Sequence, residues 1–354
     1  MASTLTLEKT SFLISERDHK SCSSSCEEIK MKKKKRTSSS STKDSNKLDL
    51  VDYASLPNFL KHNEFILSYY RSEWPIKQTL LSIFSIHNET LNIWTHLIGF
   101  VIFLTLTTYA MSIVPLNTTP TSSLTQETNL TTTPLTSYFS LNLSDQVISN
   151  QEVSQPITRW PFYAYMCGAM FCLLMSSACH LLSCHSEHTC YVMLRLDYAG
   201  ISGLIVTSFY PLVYYSFACH PLIRDLYLCS ITVFGIATIF ASLIPVFETP
   251  EFRIVRAGLF VCMALSGLVP IIHKLMAFGD RPEALVTASA GDDGCFLSLG
   301  VIVYATRVPE RWMPGRFDLA GHSHQLFHVL VIAGAYTHYL AGLVYLRWRE
   351  IEGC

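Results

Sequence analysis

The chain has 354 residues, 49% of them hydrophobic and 15% charged, with a mean hydropathy of +0.29. That is too apolar for an ordinary soluble domain. The net charge of −1 conceals an uneven distribution, because Lys32, Lys33, Lys34, Lys35 and Arg36 form one basic block while long stretches downstream carry no charge.

Residues 1–50 are rich in Ser, Thr and Lys and poor in aromatics, so a disordered basic cytosolic tail is expected, with no secretory signal peptide. The basic block has the composition of a nuclear signal, but ahead of membrane spans an anchor to anionic lipid is the better reading. Residues 51–91 form an interfacial amphipathic segment. Within it, Leu56, Phe59, Leu60, Phe65, Ile66, Tyr69 and Tyr70 recur at roughly helical spacing among Lys61, Glu64 and Arg71. This predicts a short amphipathic helix on the membrane face, broken at Trp74-Pro75.

Residues 92–346 read as a seven-helix membrane domain, followed by a short tail, 347–354. Seven apolar runs fall at about 92–114, 161–182, 191–217, 226–247, 255–275, 285–306 and 325–346, each near the roughly 20 residues a helix needs to cross a bilayer. The sixth is interrupted by Asp292 and Asp293, which predicts either a late start or a pair of acids facing a cavity. The 12 cysteines lie mostly inside apolar runs and none makes a C-x-x-C pair, which favours buried thiols over a disulfide frame.

The Ser/Thr-rich loop 115–160 carries no Lys or Arg before Arg159 and has glycosylation sequons at Asn117, Asn129 and Asn142. It is therefore expected outside, and the basic N-terminus inside. Seven crossings then put the C-terminus outside, opposite to a G-protein-coupled receptor. The loop with Arg307, Arg311 and Arg316 falls inside, as the charge rule prefers.

Ionisable groups within spans are functional candidates. Ser176 and His180 are four apart at the end of the second run; Asp197 opens the third; His324 and His328, also four apart, open the seventh. Spacing of four puts two side chains on one helix face. Span direction brings all of these groups to the cytosolic end. Three neutral histidines and a water suit zinc with an open position. Zinc lowers the pKa of that water toward about 7, and Asp197 is its natural partner as base or acceptor. Each group also has a plainer reading: His180 as an interfacial histidine, Asp197 beside Arg195 as a helix-end charge. His322 reads as a loop residue and Ser323 as an N-cap. His338 lies about 21 Å along the axis from His324 at 1.5 Å per residue, too far to share an ion. His185 and His188 are expected to be solvated, and His96 and His273 to be structural.

The segments SIHNETLNIWTHLIGF (Ser85–Phe100), SACHLLSCHSE (Ser177–Glu187), RLDYAGI (Arg195–Ile201) and YATRVPERWMPGRFDLAGHSHQLFHVL (Tyr304–Leu330) resemble the progestin and adipoQ receptor family, above all its plant heptahelical branch, similar to adiponectin receptors. The likeness covers about residues 52–354. It implies an all-α fold of seven transmembrane helices, a cytosolic N-terminus, and a zinc ion near the inner face. By position the zinc ligands fall on His180, His324 and His328, the aspartate beside the zinc-bound water on Asp197, and the Ser-x-x-x-His serine on Ser176. The sequence departs from the family at Asp292 and Asp293 and in the length of loop 115–160.

For function, the resemblance implies hydrolysis of ceramide-type lipid amides, and a receptor-like role in hormone, sugar and abiotic stress responses. The competing expectation is a receptor or scaffold with structural zinc. The expected partners are membrane lipids and an unknown extracellular ligand, with no nucleic acid, in the plasma membrane or an endomembrane.

Overall fold

The structure, a computed structural model, describes residues 48–113, 157–244, 250–277 and 294–353. The expectations for the basic tail, for most of loop 115–160 with its sequons, and for Asp292 and Asp293 fall outside those residues. The chain divides into two units, Met1–Leu48 and Asp49–Cys354, and every described helix belongs to the second.

A short helix α1, Ile76–Leu81, precedes the long ones. They are α2 (Thr90–Ile113), α3 (Trp160–Leu182), α4 (Glu187–Ser216), α5 (Pro221–Ser242), α6 (Arg253–Ser266), α7 (Leu268–Ala277), α8 (Gly294–Thr306) and α9 (Ser323–Glu352). With α6 and α7 counted as one crossing, six helices are long and apolar enough to span a bilayer, and Phe296–Thr306 is a shorter apolar helix at the sixth position. The protein is a multi-pass, seven-helix integral membrane protein. Within the described residues each expected run overlaps a helix, because a chain in lipid must satisfy its backbone polar groups internally.

The starts follow local rules. Pro161 and Pro221 sit at the first turn of α3 and α5, where a missing N–H costs nothing. The Ser186 side chain accepts a hydrogen bond from the Thr189 amide at 3.2 Å to cap α4.

One core cluster joins α2, α3 and α9 through Phe103, Phe162, Tyr165, Leu173 and Tyr339, and a second joins α4, α5, α6 and α9 through Phe209, Val213, Tyr215, Ile231, Met263 and Tyr345. Leu222, Leu226, Val233, Phe240 and Ile254 stay exposed, as lipid-facing side chains do. Lipid tails are as apolar as leucine, so the helices associate through close packing. Gly168 shows this directly: a Cβ there would lie 2.0 Å from Thr207 Oγ1, so only glycine lets α3 and α4 approach this closely.

Residues 51–71 do not form the expected single helix. They make two short 3-10 turns, Tyr53–Ser55 and Asn58–Leu60, and an antiparallel bridge between Val51 and Tyr70. Leu56, Leu60, Ile66 and Tyr70 are buried together against Cys190 of α4. Tyr69 at φ 68° and Glu73 at φ 53° are left-handed, which no α-helix allows. The short helix that precedes the first span follows Trp74-Pro75 instead of ending there. The cysteines for which a state is described are free thiols.

Candidate metal centre

Helix α3 delivers Ser176 and His180 from its last turns, α4 delivers Asp197 from its third, and α9 delivers His324 and His328 from its first two. Chain direction places these turns at one end of the bundle. The Nε2 atoms of His180 and His324 are 3.1 Å apart, and those of His324 and His328 are 3.2 Å apart. All three histidines offer a ligand atom within 4.8 Å of the others. Tetrahedral bonds of about 2.0–2.1 Å to a shared ion put imidazole nitrogens about 3.3 Å apart, so the triangle has the size of a metal site. His180 and His324 are half-buried and His328 is buried.

Two of the three rings are held from behind. His180 Nδ1 meets Glu89 Oε2 at 2.8 Å, which leaves Nε2 facing the other histidines. Glu89 in turn accepts from Asn92 Nδ2 at 2.6 Å. His328 Nδ1 lies 3.2 Å from both Thr95 Oγ1 and the Asn92 carbonyl, and its ring stacks on His96 with centroids 3.6 Å apart. A carboxylate or carbonyl on the far nitrogen is the usual way a ligating histidine is fixed in tautomer and orientation.

Asp197 comes close by the same packing. A Cβ at Gly200 would lie 3.0 Å from the Cys172 backbone, so α3 and α4 nearly touch one turn from Asp197. In this antiparallel pair, three residues back on α4 matches four residues forward on α3, and Asp197 meets Ser176, whose hydroxyl hydrogen-bonds to its carboxylate. Asp197 Oδ1 is buried with no hydrogen-bond partner among the described residues. A buried acceptor left open is costly unless something binds there, and this carboxylate acts electrostatically on His180.

A family profile described as Haemolysin-III related matches residues 84–339, which include all five candidate residues. The chain belongs to the haemolysin-III-related family. It is 55% identical over 352 residues to heptahelical transmembrane protein 4 of Arabidopsis thaliana, covering 87% of this chain and 91% of that protein. It is 49% identical over 371 residues to heptahelical transmembrane protein ADIPOR3 of rice, Oryza sativa subsp. japonica, covering 86% and 92%. The adiponectin receptor protein of Drosophila melanogaster is 36% identical over 291 residues, covering 81% of this chain and 57% of the fly protein. This haemolysin-III-related protein is thus an adiponectin receptor-like heptahelical membrane protein whose three clustered histidines can hold a metal ion.

Several expectations for single residues change. His96 is not isolated but stacked on His328. His322 is buried and occupies the N-cap position of α9, with Ser323 the first helical residue. The orphan amide of Ser323 is satisfied by Glu310 Oε2 at 2.7 Å. His185 is half-buried, its Nδ1 2.8 Å from the Trp74 carbonyl, while His188 is exposed. His273 Nδ1 lies 2.9 Å from the Tyr227 hydroxyl.

Glu89 and the backing role of His96 are absent from the sequence reading. Their signal was available: Glu89, Asn92 and His96 recur at i, i+3 and i+7, a polar stripe on one face of an otherwise apolar span.

Proposed function

We propose that His180, His324 and His328 hold a zinc ion and that the centre hydrolyses the amide of a ceramide-type lipid from the cytosolic side of the membrane. The carrying observation is the unpartnered Asp197 Oδ1 beside a histidine triangle of metal-site dimensions. When bound, zinc supplies Lewis-acid polarisation of a carbonyl and acidifies water at neutral pH. Asp197 takes the proton, with its carboxylate oriented by Ser176. The buried wall of His96 and Asn92 excludes bulk water behind His328. A lipid reaches such a site laterally, with its amide at the polar end of the bundle and its chains along the apolar helices. A receptor-like role in hormone, sugar or abiotic stress signalling, with an extracellular ligand of unknown chemistry, is the setting that the likeness to plant heptahelical proteins suggests.

The test is ceramide hydrolysis by purified protein in bilayers, wild type against Asp197→Ala. General acid–base groups contribute about 10²–10⁴-fold, so the variant should lose at least about a hundredfold in rate while keeping its metal. Equal rates would leave zinc as a structural tie between three helices.

A further inference from the structure

Two buried charges lie at the metal end of the bundle without touching the histidine rings. Arg71, 3% exposed, donates from Nη2 to the His180 carbonyl at 2.7 Å and from Nη1 to the Leu181 carbonyl at 3.1 Å. Its Nη1 also donates to Ser82 Oγ at 2.5 Å. Glu310, fully buried, accepts from the Ser323 amide through Oε2, and from the Ser323 hydroxyl through Oε1. Its Oε1 also accepts from Asn63 Nδ2 at 3.1 Å.

These contacts fall where a helix most needs them. The last carbonyls and first amides of a helix have no partner within it. A cation suits the negative C-terminal end and a carboxylate the positive N-terminal end. Arg71 therefore matches the end of α3 that carries His180, and Glu310 the end of α9 that carries His324 and His328. Neither charge belongs to the helix it caps. Arg71 comes from the segment before the first span, and Asn63 of that same segment holds Glu310. One stretch of chain outside the bundle thus grips both ligand-bearing helix ends.

We propose that Arg71 and Glu310 are positioning residues that set the separation of His180 from the His324–His328 pair, and with it the affinity and geometry of the metal centre. The inference rests on the reading that the histidines hold a metal. A contrasting contact keeps it testable. Arg307 and Glu64 also tie the N-terminal segment to the loop before α9, and the contacts described for this pair run to each other and to the His62 carbonyl.

The experiment titrates purified metal-free protein in lipid nanodiscs with zinc against a chromophoric chelator, and with cobalt(II), whose absorption spectrum reports coordination geometry. Thermal unfolding of each metal-free variant is followed in parallel. Residues supporting a ligand typically cost about 10–100-fold in metal affinity. Arg71→Gln and Glu310→Gln should weaken zinc by that factor and change the cobalt spectrum. Arg71→Lys should recover part of both, and Glu64→Gln should match wild type. Wild-type affinity and spectrum in both glutamine variants would overturn the proposal, as would an equal loss in Glu64→Gln. Should Arg71→Gln fail to fold, Arg71→Lys decides, because an ammonium cannot reproduce the fixed planar fork with which the guanidinium holds the two carbonyls and Ser82 together, and a wild-type spectrum there overturns the Arg71 role. A wild-type protein that takes up neither metal overturns the metal reading itself.

Discussion

The two ends of the bundle solve one problem with different materials. At the histidine end, the final carbonyls of α3 are met by Arg71, from a segment that does not cross the membrane. At the opposite end, the final carbonyls of α4 are met by the spans themselves. Lys274 Nζ of α7 reaches the Ser216 carbonyl at 2.9 Å, and Arg349 of α9 reaches those of Tyr215 at 2.6 Å and Ser216 at 3.2 Å. Both ends bury charge to satisfy a helix terminus, yet among the described residues only one gathers three histidines that could hold a metal ion. Near Lys274 lie the Phe217 ring and the hydrogen-bonded pair of His273 and Tyr227. Near Arg71 lie His180, Glu89 and, one helix over, Asp197 with an open oxygen. The far end closes a helix terminus, and the near end does so beside the candidate metal ligands.

The largest effect that would sharpen this contrast is loss of the metal. His324→Ala and His328→Ala each remove one corner of the Nε2 triangle and should bring bound metal, measured by elemental analysis of purified protein, close to background. Content unchanged in both variants would reduce the histidine end to the same status as the other.

A smaller effect tests the far end. Lys274→Met withdraws one of two cations from the Ser216 carbonyl, leaving Arg349 in place. A hydrogen bond to a charged group contributes about 1.5–3 kcal/mol, and its loss is seen as a lower unfolding temperature in detergent. Metal affinity should not move. If zinc binding weakened with stability, the two ends would be coupled through α4, and the separation drawn between them would fail.

The sequence was most informative where the membrane is the solvent. Hydropathy located the described ends of the spans to within about six residues, because only a continuous helix survives in lipid. Span direction then brought His180 of α3 to the depth of His324 and His328 of α9. Legibility ends outside the bilayer. Residues 51–71 have helix-like apolar spacing, but Leu56, Leu60, Ile66 and Tyr70 meet that spacing by folding back on a two-residue bridge and packing on Cys190. Arg71 and Glu310 are equally opaque. Their partners lie 109 residues away at His180 and 13 away at Ser323, and no local periodicity encodes a cap supplied from another segment. Glu89 lies between these cases, readable as part of a stripe once the span is known.

The finest test of the near end uses acid. His87, 1% exposed just before the first span, accepts the Glu89 amide at Nδ1, 3.1 Å away, and faces the Ser82 carbonyl from Nε2 at 3.2 Å. Accepting at Nδ1 requires a neutral ring. Burial, reinforced by the nearby Arg71 charge, pushes its pKa down to about 4, against about 6.5 in an unfolded chain. The unfolded state therefore binds the proton first. The full stability is present above about pH 6.5 and falls as the pH drops toward 4, by at most about 1.4 kcal/mol per unit. His87→Gln keeps an acceptor for Glu89 and a donor for Ser82 but cannot titrate. Unfolding temperatures of metal-free wild type and variant, compared from pH 7 to 4.5, should converge or cross as the wild type loses stability. Parallel curves would mean that the ring keeping Glu89 behind His180 is not what makes the metal end the acid-sensitive one.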